Sequence, residues 1–67
     1  MSIFSERLTI LMKSKGFTQK EFATKANITE SAMSYYVKGL RTPSGEVLAR
    51  IAKALDTTTD YLLGLED

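Results

Sequence analysis

Asn27-Ile28-Thr29-Glu30-Ser31-Ala32-Met33-Ser34-Tyr35-Tyr36 (NITESAMSYY, residues 27–36) breaks a sequence that reads as helix on both sides of it. Asparagine is an indifferent helix former, and it tolerates the left-handed conformation that a tight helix exit needs. Threonine favours the capping position at a helix amino end. The stretch is therefore expected to close one helix at Asn27 and open another at Thr29. Ile28, the lone apolar residue of the turn, should plug into the core. The second of these helices runs to about Lys38 and stops at Gly39. Tyr35 and Tyr36 are adjacent and cannot share a helix face, so Tyr36 is expected inside and Tyr35 outside. With Ile28, Met33, Tyr36 and Val37 turned inward, the outer side of the helix is Glu30, Ser31, Ser34, Tyr35 and Lys38. These are short or planar hydrogen-bonding groups, where a bundle helix would carry Lys and Glu.

Working back toward the amino terminus, Thr18-Gln19-Lys20-Glu21 has the form of a capping box. The threonine hydroxyl can accept one free backbone N–H, and the glutamate can reach back to cover another. Phe22, Ala23 and Ala26 then form an apolar face whose small residues let a neighbour approach closely. Earlier still, Phe4, Leu8 and Leu11 recur with helical period, and Lys13, Lys15 and Gly16 mark a basic last turn and a stop. Ile3 and Ile10 lie off that face and read as surface apolar residues, which are common.

Working forward, residues 40–43 form a loop, because Pro43 disfavours helix at the residue before it. Ser44 caps a helix whose Val47, Leu48, Ile51, Ala52 and Leu55 are spaced for burial. A turn at Asp56-Thr57-Thr58 leads into a short last helix that carries Tyr61, Leu62 and Leu63 and ends at Gly64. Nothing alternates with period two. The expected fold is all-α: five short helices in one domain, residues 1–67, with no linker or repeat.

A chain of 67 residues has little core to work with, and many chains of this size rely on a disulfide, a metal or a partner subunit. Neither Cys nor His occurs. This excludes disulfides and thiolate or imidazole metal sites, and it suits a cytoplasmic protein. No signal peptide and no membrane-spanning run is visible. The formal charge is only +1, but it is unevenly spread. Residues 1–41 hold seven bases (Arg7, Lys13, Lys15, Lys20, Lys25, Lys38, Arg41) against three acids (Glu6, Glu21, Glu30). Residues 42–67 hold Arg50 and Lys53 against five acids. Such an asymmetry fits a basic binding face on a neutral body, although scattered solvated charge would look the same. No arrangement of carboxylates, hydroxyls or lysines has the form of an active site, so no enzyme is expected, and no cofactor or small-molecule ligand.

The connection 27–29 is too short for antiparallel packing, so the helices on either side of it should cross steeply as a helix-turn-helix. At this point TQKEFATKANITESAMSYYVKG and the following PSGEVLARIAKAL resemble the phage repressor and Cro-type helix-turn-helix family (XRE-like). The resemblance runs from about Phe4 to Leu63 and rests on Thr18-Gln19, Ala23, and Pro43-Ser44 before the Leu48-Ile51-Leu55 stripe. It implies a lambda-repressor-like fold and a sequence-specific DNA-binding regulator of phage or bacterial origin. Such a protein would be a repressor that binds a near-palindromic operator as a dimer in the cytoplasm, at the nucleoid. By position, Glu30, Ser31, Ser34 and Tyr35 would reach base edges. Gln19, Thr29, Lys38, Arg41 and Thr42 would contact the DNA backbone, Gln19 with help from its helix end. Tyr61, Leu63 and Leu65 would form a weak dimer contact. Neither Arg nor Gln is expected on the reading face, so affinity per half-site should be modest. Many members carry an Arg–Glu pair where this chain has Met12 and Val37, which should touch directly instead.

The rival reading is a protein-interaction module, an antitoxin or adaptor with the same fold. Gln19, Lys38 and Arg41 around the ridge favour nucleic acid. The sequence leaves open whether the chain is a whole protein or the amino-terminal part of a longer repressor.

Overall fold

The structure is a computed structural model that describes residues 2–66. Among them are five helices and no strand: α1 (Ile3–Ser14), α2 (Gln19–Lys25), α3 (Glu30–Lys38), α4 (Gly45–Ala54) and α5 (Thr59–Leu62). The fold class and the boundaries agree with expectation to within a residue or so. Leu63 is the exception, closing α5 from the C-cap position.

Each helix starts the same way. A Ser or Thr in extended conformation (Ser2, Thr18, Thr29, Ser44 or Thr58) accepts the N–H three residues on, at 3.0–3.4 Å. At Thr18 the box is complete, because Glu21 Oε1 accepts the Thr18 N–H at 2.9 Å. Helix exits are equally uniform. Gly16, Asn27, Gly39, Asp56 and Gly64 all have positive φ, between 55° and 80°. In each case the next residue donates back across the last turn, as Ile28 N–H does to the Ala23 carbonyl at 2.8 Å and Leu40 N–H to Tyr35 at 2.9 Å. This is the Schellman arrangement, which satisfies carbonyls that the helix end would otherwise leave open. Asn27 takes the left-handed position as expected, and Asp56, which opens the expected turn before α5, takes another.

The core is built from Phe4, Leu8 and Met12 of α1, Phe22, Ala23 and Ala26 around α2, and Met33 of α3. Leu48, Ile51, Ala52 and Leu55 from the α4 region and Leu62 of α5 complete it. On α1 the deeply buried row is spaced by four, so Met12 is inside while Leu11 is half-buried at the margin. The reason is the neighbour. α1 packs against α3 and α5, and their positions select which edge of the apolar stripe is covered. Val37 packs against the same core, so both residues of the expected Met12–Val37 contact lie in or on the apolar interior. Ile28 is half-buried rather than fully enclosed. Tyr36 sets its ring edge-on to Phe4, with centroids 6.5 Å apart.

Two of the three arginines join distant elements. Arg7 donates to the carbonyls of Tyr61 and Glu66, both at 2.6 Å, and lies 4.3 Å from the Tyr61 ring centroid. Arg50 donates to the carbonyls of Ala26 and Asn27, at 3.2 and 3.3 Å, and so closes the end of α2 from α4. It also faces Glu46, one turn earlier, at 3.5 Å. Among the described residues no helix is long and apolar enough to cross a membrane.

Candidate nucleic-acid interface

The packing of α2 against α3 follows from local chemistry. Ala23 and Ala26 offer almost no bulk at the contact, and Asn27 turns the chain sharply through its left-handed φ of 57°. α3 then buries Met33 completely and keeps Tyr36 and Val37 half-buried. Its opposite side faces solvent.

On that side Gln19, Glu30, Ser31, Ser34, Tyr35 and Lys38 line one open concavity of about 430 Å³. The four residues expected to reach base edges are thus brought together. Glu30, Ser31 and Tyr35 are exposed, and Ser34 is half-buried. Among the described residues, the side-chain hydrogen bonds of the α2–α3 unit involve Thr18, Glu21, Thr24, Thr29 and Arg50, leaving the polar groups of this concavity uncommitted. Tyr35 is 42% exposed, in contrast to its neighbour Tyr36.

The expected backbone-contacting residues surround this face. Lys38 lines its end, and Arg41 and Thr42 are exposed in the loop that follows α3. Thr29 caps α3, its oxygen accepting the Ala32 N–H at 3.1 Å, and its hydroxyl hydrogen stays free to be donated to a phosphate.

Gln19 and Arg41, expected to contact the DNA backbone, both lie beside the residues expected to read bases. Gln19 opens α2 and forms part of the same concavity as Ser31 and Tyr35. Arg41 lies over the Tyr35 ring, its guanidinium carbon 4.9 Å from the ring centroid. The resemblance placed both around the ridge, but the contacts themselves, one across the turn between helices and the other across the left-handed bend at Gly39, appear only in the structure. Leu40, next to Arg41 in the loop after α3, is 67% exposed.

One titratable group stands out. The Glu21 carboxyl is held below its ordinary range, chiefly because it accepts the Thr18 backbone N–H and secondly through the Thr18 hydroxyl. It serves the α2 cap. Among the described residues no cluster of His, Cys, Asp or Glu could hold a metal ion.

Of the expected dimer residues, Tyr61 is half-buried, while Leu63 and Leu65 are exposed by 37% and 73%. Tyr61 lines a second, more apolar concavity with Ile3, Glu6, Arg7, Thr9 and Ile10, sharing no residue with the first. Ile3 and Ile10 are exposed, as expected.

Five short helices, with the polar side of α3 presented outward after a tight left-handed turn at Asn27, define a helix-turn-helix protein. The chain belongs to the helix-turn-helix family, whose pattern it matches over residues 8–62. It is 36% identical over 62 residues to the HTH-type transcriptional regulator ImmR of Bacillus subtilis (strain 168), covering 92% of this chain and 49% of that protein. To the HTH-type transcriptional regulator AnsR of the same strain it is 43% identical over 61 residues, covering 91% and 53%. An uncharacterized HTH-type transcriptional regulator, YqaE, is 41% identical over 61 residues with the same coverage. The chain therefore spans about half the length of these relatives. These similarities are to regulators and not to enzymes, in keeping with the sequence.

Proposed function

We propose that the chain is a sequence-specific DNA-binding domain, residues 1–67, of a transcriptional regulator, and that it acts as a repressor of phage or bacterial origin in the cytoplasm. The observation that carries this reading is the uncommitted polar face of α3, flanked by Gln19 on one side and Arg41 on the other. A major groove admits a helix of this kind, and base edges are read by side chains that donate and accept at defined positions. Glu30 can only accept, so its natural partner is a base amino group, cytosine's above all. Ser31 and Ser34 can do either. Tyr35 packs its ring on a thymine methyl and offers its hydroxyl to a base edge. Gln19, Thr29, Lys38, Arg41 and Thr42 hold the strand, which sets register and supplies most of the affinity. The relatives' names, all HTH-type transcriptional regulators, support the regulatory role.

A single reading helix this short covers one half-site. Two copies meeting through Tyr61, Leu63 and Leu65 would set two such helices one duplex turn apart on a near-palindrome. Repression then follows from occupancy alone, and needs neither a cofactor nor chemistry.

Selection of bound duplexes from a random pool tests the proposal. Enrichment of an inverted repeat is the expected result. A single unrepeated element would remove the dimer, and no enrichment would remove DNA recognition in favour of a protein-interaction module.

A further inference from the structure

We propose that Tyr35 and Arg41 act on the duplex as one unit, with the Tyr35 ring a platform that positions the Arg41 guanidinium for the DNA strand. This inference rests on the DNA-binding reading above. The three arginines of the chain have different fates. Arg7 and Arg50 give their N–H groups to backbone carbonyls. Arg41 instead lies on a ring, 4.9 Å from its centroid, well within the range of cation–π attraction.

The geometry has a local cause. Gly39 turns left-handed at φ 77°, and Leu40 N–H donates to the Tyr35 carbonyl at 2.9 Å. The chain is thereby folded back over the last turn of α3, and the next side chain meets the ring of Tyr35. Both partners are exposed, so the stack faces the solvent on the side where α3 is open.

A guanidinium laid flat over a ring uses its face and keeps its edge, with the fork of N–H donors, for a phosphate. An arginine on a flexible loop would have to give up considerable rotamer freedom to make that contact. The ring restricts this freedom in advance. Tyr35 therefore contributes to binding on every sequence, in addition to whatever it reads from the bases. The ring matters here and the hydroxyl does not.

The test uses the 67-residue chain with Y35F, Y35L, R41A and the Y35L/R41A double variant. Binding to a labelled mixed-sequence duplex is followed by fluorescence anisotropy. R41A is expected to weaken binding about tenfold, the loss of one charge-assisted contact. Y35L weakens it by roughly two- to fivefold, the worth of an exposed cation–π pair. Y35F keeps the ring and loses less than Y35L, and the double variant loses less than the sum of the Y35L and R41A losses.

A second readout needs no DNA. In the free protein the Arg41 δ-methylene protons are shifted upfield by the ring current. That shift persists in Y35F and vanishes in Y35L. Additive losses in Y35L/R41A, equal losses in Y35F and Y35L, or an unshifted Arg41 in the parent chain would each overturn the coupling alone. A parent chain that binds no duplex, with its ring-current shift intact, would instead overturn the DNA reading and the unit along with it.

Discussion

Removing Arg50 should loosen the carboxyl end of α2 at the turn into α3, with a measurable loss of stability. Its Nε donates to the Ala26 carbonyl at 3.2 Å and its Nη2 to the Asn27 carbonyl at 3.3 Å. Both acceptors lie at the negative end of the α2 dipole, where a cation is favoured. Bonds from a charged donor contribute about 1.5–3 kcal/mol when well formed. These two are long, and the side chain is 38% exposed, so screening reduces each to roughly 1 kcal/mol. The Glu46 pair, at 3.5 Å and with Glu46 85% exposed, adds at most about 0.5 kcal/mol. Ordering a long side chain opposes the total by up to about 1 kcal/mol. Arg50→Ala should therefore cost about 1–2 kcal/mol, a fall in Tm of about 5–15 °C for a domain of this size.

Thermal melts followed by circular dichroism measure it. Arg50→Met keeps most of the aliphatic stem and should fall nearly as far as alanine if the carbonyl bonds matter. Glu46→Ala removes only the exposed ion pair and should stay within about 0.5 kcal/mol of the parent. An Arg50→Ala chain as stable as the parent, or full recovery by methionine, would show that the carbonyl bonds contribute nothing.

Met33 is fully buried on the inner side of α3, so Met33→Ala should destabilise by about 2–5 kcal/mol and leave the chain largely unfolded; an unchanged urea midpoint would contradict this. Gln19→Ala should weaken binding severalfold on all duplexes alike, as loss of a backbone contact does. A changed ranking of sequences in competition binding would make Gln19 a base reader instead. The folded Glu21 carboxyl lies below its ordinary range, so its contribution is complete above the unfolded pKa and is lost as pH falls through the lowered folded value. Glu21→Gln should remove that part of the acid sensitivity, and identical acid melting profiles for the two chains would refute it.

The helix boundaries were legible because each is decided within a few residues. A cap at Thr29 is a hydrogen bond to Ala32, and the exit at Asn27 is one dihedral angle. The outward face of α3 was legible for a related reason. Tyr35 and Tyr36 must point apart, and only one side of a nine-residue helix was apolar enough to bury. Local signals failed where a residue is unremarkable for its role. The expected turn at Asp56 did not say which of its residues would turn left-handed, and the cap of α1 by Ser2 was not anticipated.

The arginines divide the two kinds of information most clearly. In the sequence all three carry the same charge, and Arg7 and Arg41 counted equally toward a basic first half. The fold turns Arg7 to carbonyls 54 and 59 residues away and lays Arg41 over Tyr35.

The sequence by itself determined five helices, their caps and exits, and which side of α3 is polar, because these follow from interactions between residues close along the chain. Only the tertiary structure decided that Met12 sits deeper than Leu11, that Gln19 joins the α3 concavity, and which arginine keeps its donors open. Those outcomes depend on where a distant helix comes to rest, and no short-range pattern encodes that position.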